Sequence, residues 1–99
     1  MLDKLQAADF QPHLKEIFLI RLDETQSIDL ELVSVTELGS SAQVGERGPF
    51  SLNFLGPLST HYLQQHTYHV ENEKMGAFDL FIVPLGMEAG RMRYEAIFT

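Results

Sequence analysis

The sequence predicts a mainly β fold: a small antiparallel meander or β-barrel of about six strands, preceded by a short N-terminal helix. Three observations carry this. Apolar residues recur at period two, most clearly Phe50, Leu52 and Phe54 and then Met92, Tyr94, Ala96 and Phe98, the spacing that sends alternate side chains to one face of a strand. Gly48-Pro49 and Gly56-Pro57 bracket the first of these runs with turn signals, and the residue before a proline is pushed away from helical geometry. Finally, the polar connections are short and sequential, and a sheet built that way hides its edges most simply by closing on itself.

In chain order, residues 1–14 read as a short helix and turn. Leu2, Leu5 and Ala8 share one face, Asp3 suits the first turn, and Pro12 breaks the helix. The segment is expected to cover one end or face of a sheet. Ile17–Leu22 is a first strand with Phe18 and Ile20 on one side and Ile17 and Leu19 on the other; Asp23–Ser27 has hairpin-loop composition. In Ile28–Leu38 the apolar phase runs through Ile28, Leu30 and Leu32, then switches to Val33 and Val35, which predicts a β-bulge or bend. Gly39–Gly48 is the longest loop, followed by the strand around Phe50–Phe54 and a connection over Leu58–Gln64.

Gln65–Asn72 alternates again, Tyr68 and Val70 facing one way and Thr67, His69 and Glu71 the other, before a polar turn to Gly76. Ala77–Leu85 is the most apolar strand. Phe78, Leu80 and Ile82 share a face, and Phe81 and Val83 lie opposite, so a second cover is expected from the N-terminal helix, barrel closure or a partner chain. Pro84 suits a strand end or edge, Gly86–Gly90 reads as the last turn, and Arg91–Phe98 closes the sheet. The expectation is one domain over residues 1–99, with the sheet or barrel spanning 17–98.

Composition narrows the function. The chain has 99 residues, 44% of them hydrophobic, with seven Phe and three Tyr. Each buried Phe contributes roughly 1.5–3 kcal/mol, against a conformational entropy cost on the order of 100 kcal/mol for a domain of this size. The rings are needed inside, and few can be spared for a surface. The formal charge of −7 repels phosphate backbones and anionic lipid heads, so nucleic-acid and membrane partners are not expected. Cysteine is absent, which removes disulfides, thiolate metal sites and a cysteine nucleophile. Met1–Gln6 lacks the basic start and apolar run of a signal peptide, and no run approaches the ~20 apolar residues of a membrane helix; a cytoplasmic protein is expected.

Few residues carry chemistry. His61, His66 and His69 are close in sequence, but His66 and His69 are an odd number apart and point to opposite strand faces. His69 and Glu71 share a face and form, with His66, the candidate ligand or metal set; neither a bound metal nor a cofactor is expected. Asp79 stands between Phe78 and Leu80, and alternation places it outward. No Gly-x-Ser-x-Gly elbow, Walker pattern or dinucleotide fingerprint occurs. The apolar face at Phe81 and Val83, with Gln65 and Thr67 beside it in the pattern, supplies the interaction candidates.

The runs Pro49-Phe50-Ser51-Leu52-x-Phe54-x-Gly56-Pro57, Gln65-x-Thr67-Tyr68, Leu80-Phe81-Ile82-Val83-Pro84-x-Gly86 and Tyr94-Glu95-Ala96-x-Phe98, together with Gly76, resemble a family of short bacterial domains of about a hundred residues catalogued as uncharacterised. The similarity runs from about Phe10 to Phe98. It implies a β-rich domain without an assigned activity, in the neighbourhood of phage-tail-like or surface assemblies. Two positions depart from the pattern: His66 replaces a glycine between Gln and Thr-Tyr, and Lys15 stands where a glycine often precedes Glu-x-Phe. The polar members Gln65, Thr67 and Glu95 are further candidates, each with a turn or cross-strand explanation. The expected function is a non-enzymatic protein-interaction or assembly module acting on a protein partner or a second copy. The alternatives are a small barrel binding a ligand in its mouth and, third, an enzyme.

Overall fold

A computed structural model describes residues 5–38, 48–59 and 61–98. The expected loop at 39–48 lies outside the described residues except for Gly48, as do Leu2 and Asp3 of the expected helix. Six strands, β1 (Ile17–Arg21), β2 (Ser27–Glu37), β3 (Phe50–Leu58), β4 (His66–Asn72), β5 (Gly76–Glu88) and β6 (Arg91–Phe98), form a closed antiparallel barrel. The helix, α1, covers only Ala7–Phe10; Pro12 tightens the next turn into a 3-10 turn over Gln11–His13.

The expected antiparallel barrel closes with strand order β1-β2-β3-β6-β5-β4, two three-stranded meanders joined as a Greek key. β3 pairs with β6, β1 pairs with β4, and the β3–β4 connection crosses one end of the barrel. Local patterning specifies strands and hairpins; which distant strands meet is decided by closure.

The period-two faces become the interior. Phe18, Ile20, Leu30, Leu32, Phe50, Leu52, Phe54, Val70, Leu80, Ile82, Met92, Tyr94, Ala96 and Phe98 are all buried. Phe10 seals one end, its ring 5.6–6.4 Å from those of Phe18, Phe50, Phe78 and Phe98, while Phe50 and Phe98 stack at 4.5 Å. Leu63, from the crossing connection, is buried at the other end, where its backbone N–H donates to the Tyr94 hydroxyl at 2.8 Å; the Tyr68 hydroxyl donates to the Gln64 carbonyl at 2.6 Å. Burial raises both tyrosine pKa values above the usual 10.0. Gly56 makes room for this arrangement: a Cβ there would stand 3.2 Å from a ring carbon of Tyr94.

Several boundaries move. The phase switch in β2 is a bulge between Leu32 and Ser34; Val35 turns toward the core, but Val33, the bulged residue, stays exposed. β1 stops at Arg21, because Asp23 accepts backbone N–H bonds from Thr25 and Gln26 and closes the hairpin early. β5 runs to Glu88 through a bulge at Leu85, so the last turn is only Ala89-Gly90, at φ 52° and 80°, the two positive values of a type I′ hairpin. Pro84 therefore sits within a strand; it is tolerated because β4 pairing has already ended at His66↔Ile82. The N-terminal segment covers the barrel end, not the outer face of β5, and Phe81 is left 50% exposed.

A polar network fastens the Phe10 end. Buried Asn72 accepts the backbone N–H groups of Lys74 and Met75 and donates to the Ile17 carbonyl and to Glu16 Oε1. Glu16 also meets His13 Nδ1 at 2.9 Å and Lys74 Nζ at 3.5 Å. Just before it, Lys15 takes a left-handed φ of 73°, its N–H donating to the Leu32 carbonyl at 2.7 Å. That conformation explains physically why a glycine suits this position in the resembled pattern.

Candidate functional site

The candidate ligand residues fall on the outside of the barrel. Register places Arg21, His69 and Asp79 side by side across β1, β4 and β5, with Leu19, Glu71 and Ala77 in the adjoining row. A charged chain results: Arg21 Nη2 to Glu71 Oε1 at 3.1 Å, His69 Nε2 to Glu71 Oε2 at 3.3 Å, and His69 Nδ1 to Asp79 Oδ1 at 3.3 Å. Each of these side chains is at least 38% exposed, so water competes with every link. The hydrogen bond from Arg21 is the main cause holding the Glu71 carboxyl below its ordinary 4.5, with the charges of Arg21 and His69 adding to it.

His66 does not join this chain. It sits at the start of β4 on the other parity, its ring edge-on to Tyr68 at 5.4 Å. His61 is exposed in the crossing connection, where its backbone N–H donates to Ser59 Oγ. Among the described residues no three His, Asp or Glu side chains are arranged to hold a metal ion. The arrangement offers surface charge with the His69 imidazole between two carboxylates, and among the described residues no buried acid or base is aimed into a cleft. A hollow of about 350 Å³ lies at Lys15, Glu16, Ile17 and the 72–74 turn, but it is open and its polar groups already bond one another.

The interaction candidates gather nearer one another. Thr67 on β4 is directly opposite Phe81 on β5. Val83 follows on the same face, half-buried, opposite Glu95 of β6, and Gln65 is exposed just before β4. Ile97, two residues along β6 from Glu95, is 54% exposed. Of the seven Phe, five are buried and Phe78 packs against the core; Phe81 alone points outward. Sequence reasoning missed Ile97, Leu63 and Asn72. Ile97 is a β-branched residue on a polar face, which strand propensity alone accommodates. Leu63 lies in a segment without period, so nothing marked it as a plug.

No described helix is long and apolar enough to cross a membrane. No curated protein and no solved structure matches the chain. A family model described as a domain of unknown function, DUF6916, matches residues 5–98, and the chain therefore belongs to that family.

Proposed function

We propose that the protein is a non-enzymatic docking module, and that its contact face is the outer surface of β4, β5 and β6 around Phe81, with Thr67, Val83, Gln65 and Ile97 beside it. One observation carries this: in a chain whose phenylalanines otherwise serve the core, Phe81 stands half exposed on the outer face. Exposing such a ring forgoes part of the roughly 1.5–3 kcal/mol that burial gives, and exposed aromatic residues are favoured as interface anchors. The occupied interior and its two covered ends favour a partner meeting the outside over a ligand entering the mouth. The surface location of the ionisable groups favours binding over chemistry.

A photo-crosslinking amino acid placed at position 81, and separately at Asp29 on another part of the barrel wall, tests this in the host cell. Adducts specific to position 81 are expected. Equal yields from both positions, or none from either, overturn the proposal.

A further inference from the structure

On the docking role proposed above, on which this inference rests, we infer that the partner is a second copy of the chain. The two copies lie face to face and antiparallel, so that Asp79 of each meets Arg93 of the other. Strand pairing sets the outward residues of this face in levels: Asp79 beside His69, Phe81 beside Thr67, Val83 beside Glu95, and Gly86 beside Arg93. Followed along β5, the face is acidic at Asp79, apolar at Phe81 and Val83 with Leu85 exposed at the bulge, and then basic at Arg93. In reverse it is basic, apolar and acidic. Two copies running in opposite directions therefore match.

The charges at the two ends of this row are available. Arg21, Lys74 and Arg91 each meet a carboxylate of their own chain, whereas exposed Arg93 meets none among the described residues. Beside it, a Cβ added at Gly86 would find nothing within 4 Å, so the surface there is open. Asp79, 66% exposed, bonds only the open ring of His69 among the described residues, at 3.3 Å. Stacked sheets lie about 10 Å apart, a gap that an arginine and an aspartate reaching from opposite sides together span. Phe81 then packs on Val83 of the second copy, and the two-fold makes every contact occur twice. Glu95 stays at the rim, on the β6 flank between Val83 and Asn53. The formal charge of −7 on each copy is screened beyond about 8 Å at physiological salt, so the pairs at the face decide.

The test uses the purified full chain in sedimentation velocity from about 10 µM to 1 mM, where a reversible monomer–dimer equilibrium is expected. Asp79→Arg and Arg93→Glu each set like charges together twice, and each should weaken the dimer at least about tenfold. Mixing these two variants should restore dimers. So should the double variant, whose net charge equals that of the unaltered chain. Asp29→Arg, the same charge change on another part of the barrel wall, should leave the dimer within about twofold. Phe81→Glu should abolish it. A strict monomer, dimers that ignore both single reversals, or single reversals without recovery on mixing overturns the inference. If position 81 crosslinks in the host to a different protein while the purified chain stays monomeric, the docking face stands and only its occupant is wrong. If position 81 does not crosslink at all, the docking role falls with it.

Discussion

The two ends of the barrel are closed by different physics. At one, a phenylalanine from outside the sheet enters a nest of four other rings and is fastened by an ionisable network, Glu16 with His13, Lys74 and Asn72. At the other, a leucine from the crossing connection donates its backbone N–H to the Tyr94 hydroxyl, and the Tyr68 hydroxyl donates to the carbonyl of the next residue, Gln64. Neutral hydrogen bonds hold one end across ordinary pH, while the other depends on a carboxylate. A seal made by local chain and one made by a long crossing should also differ in strength.

The largest effect is expected from Phe10→Ala, a large-to-small change at a fully buried ring, which should cost about 3–5 kcal/mol and lower Tm by on the order of 15–30 °C. Leu63→Ala should cost less, about 2–3 kcal/mol, because the side chain is smaller and retains 6% exposure. Equal losses in calorimetry would erase the difference between the ends. Tyr94→Phe comes next: it leaves the Leu63 N–H without its acceptor, a loss of about 1–2 kcal/mol in urea unfolding that should not vary between pH 4 and pH 8.

Acid should act selectively on the Phe10 end. The His13 hydrogen bond is the largest cause holding the Glu16 carboxyl below its ordinary 4.5, with the Asn72 hydrogen bond and the charges of His13 and Lys74 also lowering it. A depressed folded-state pKa gives stability that is present above 4.5 and lost as pH falls through the folded value. Asp23, held low by the backbone N–H groups of Thr25 and Gln26, and Glu71, held low by Arg21, follow the same sign. Glu16→Gln should therefore flatten the acid limb of the stability curve, and amide protection, relative to the intrinsic exchange rate at each pH, should fall in the 72–75 turn in acid before it falls around Leu63. The reverse order would show that the ionic fastening is not the weaker one. The smallest effect is a gain: Lys15→Gly removes a left-handed lysine at φ 73° and should stabilise by about 0.5–1 kcal/mol, read as a small rise in the urea midpoint.

Much of the barrel could be read from alternation alone. The inward faces of β3 and β6, the bulge after Leu32, and the outward placement of His69, Glu71 and Asp79 all follow from a period of two. Strand order could not, because β3 beside β6 and β1 beside β4 are settled by closure between residues 33 to 52 positions apart in the chain. For the same reason, the Arg21–Glu71 contact could not be foreseen from either strand. The full extent of β5 is hidden in the sequence by Pro84 and Gly86, residues that mark a turn in most settings but here accompany a bulge where one neighbour has ended. Exposure of Phe81 also needed the fold: alternation sets it opposite Phe78, Leu80 and Ile82, but whether the N-terminal helix covers that face is decided by α1 lying at the barrel end.

The strand made last, β6, lies between β3 and β5 and supplies Tyr94 and Phe98 to opposite ends of the interior. Until those residues clear the ribosome, the first meander and the β4–β5 hairpin each have an apolar face without a lid. Closure therefore waits for the last strand, and until then the formal charge of −7 is what opposes the sticking of half-built sheets to one another.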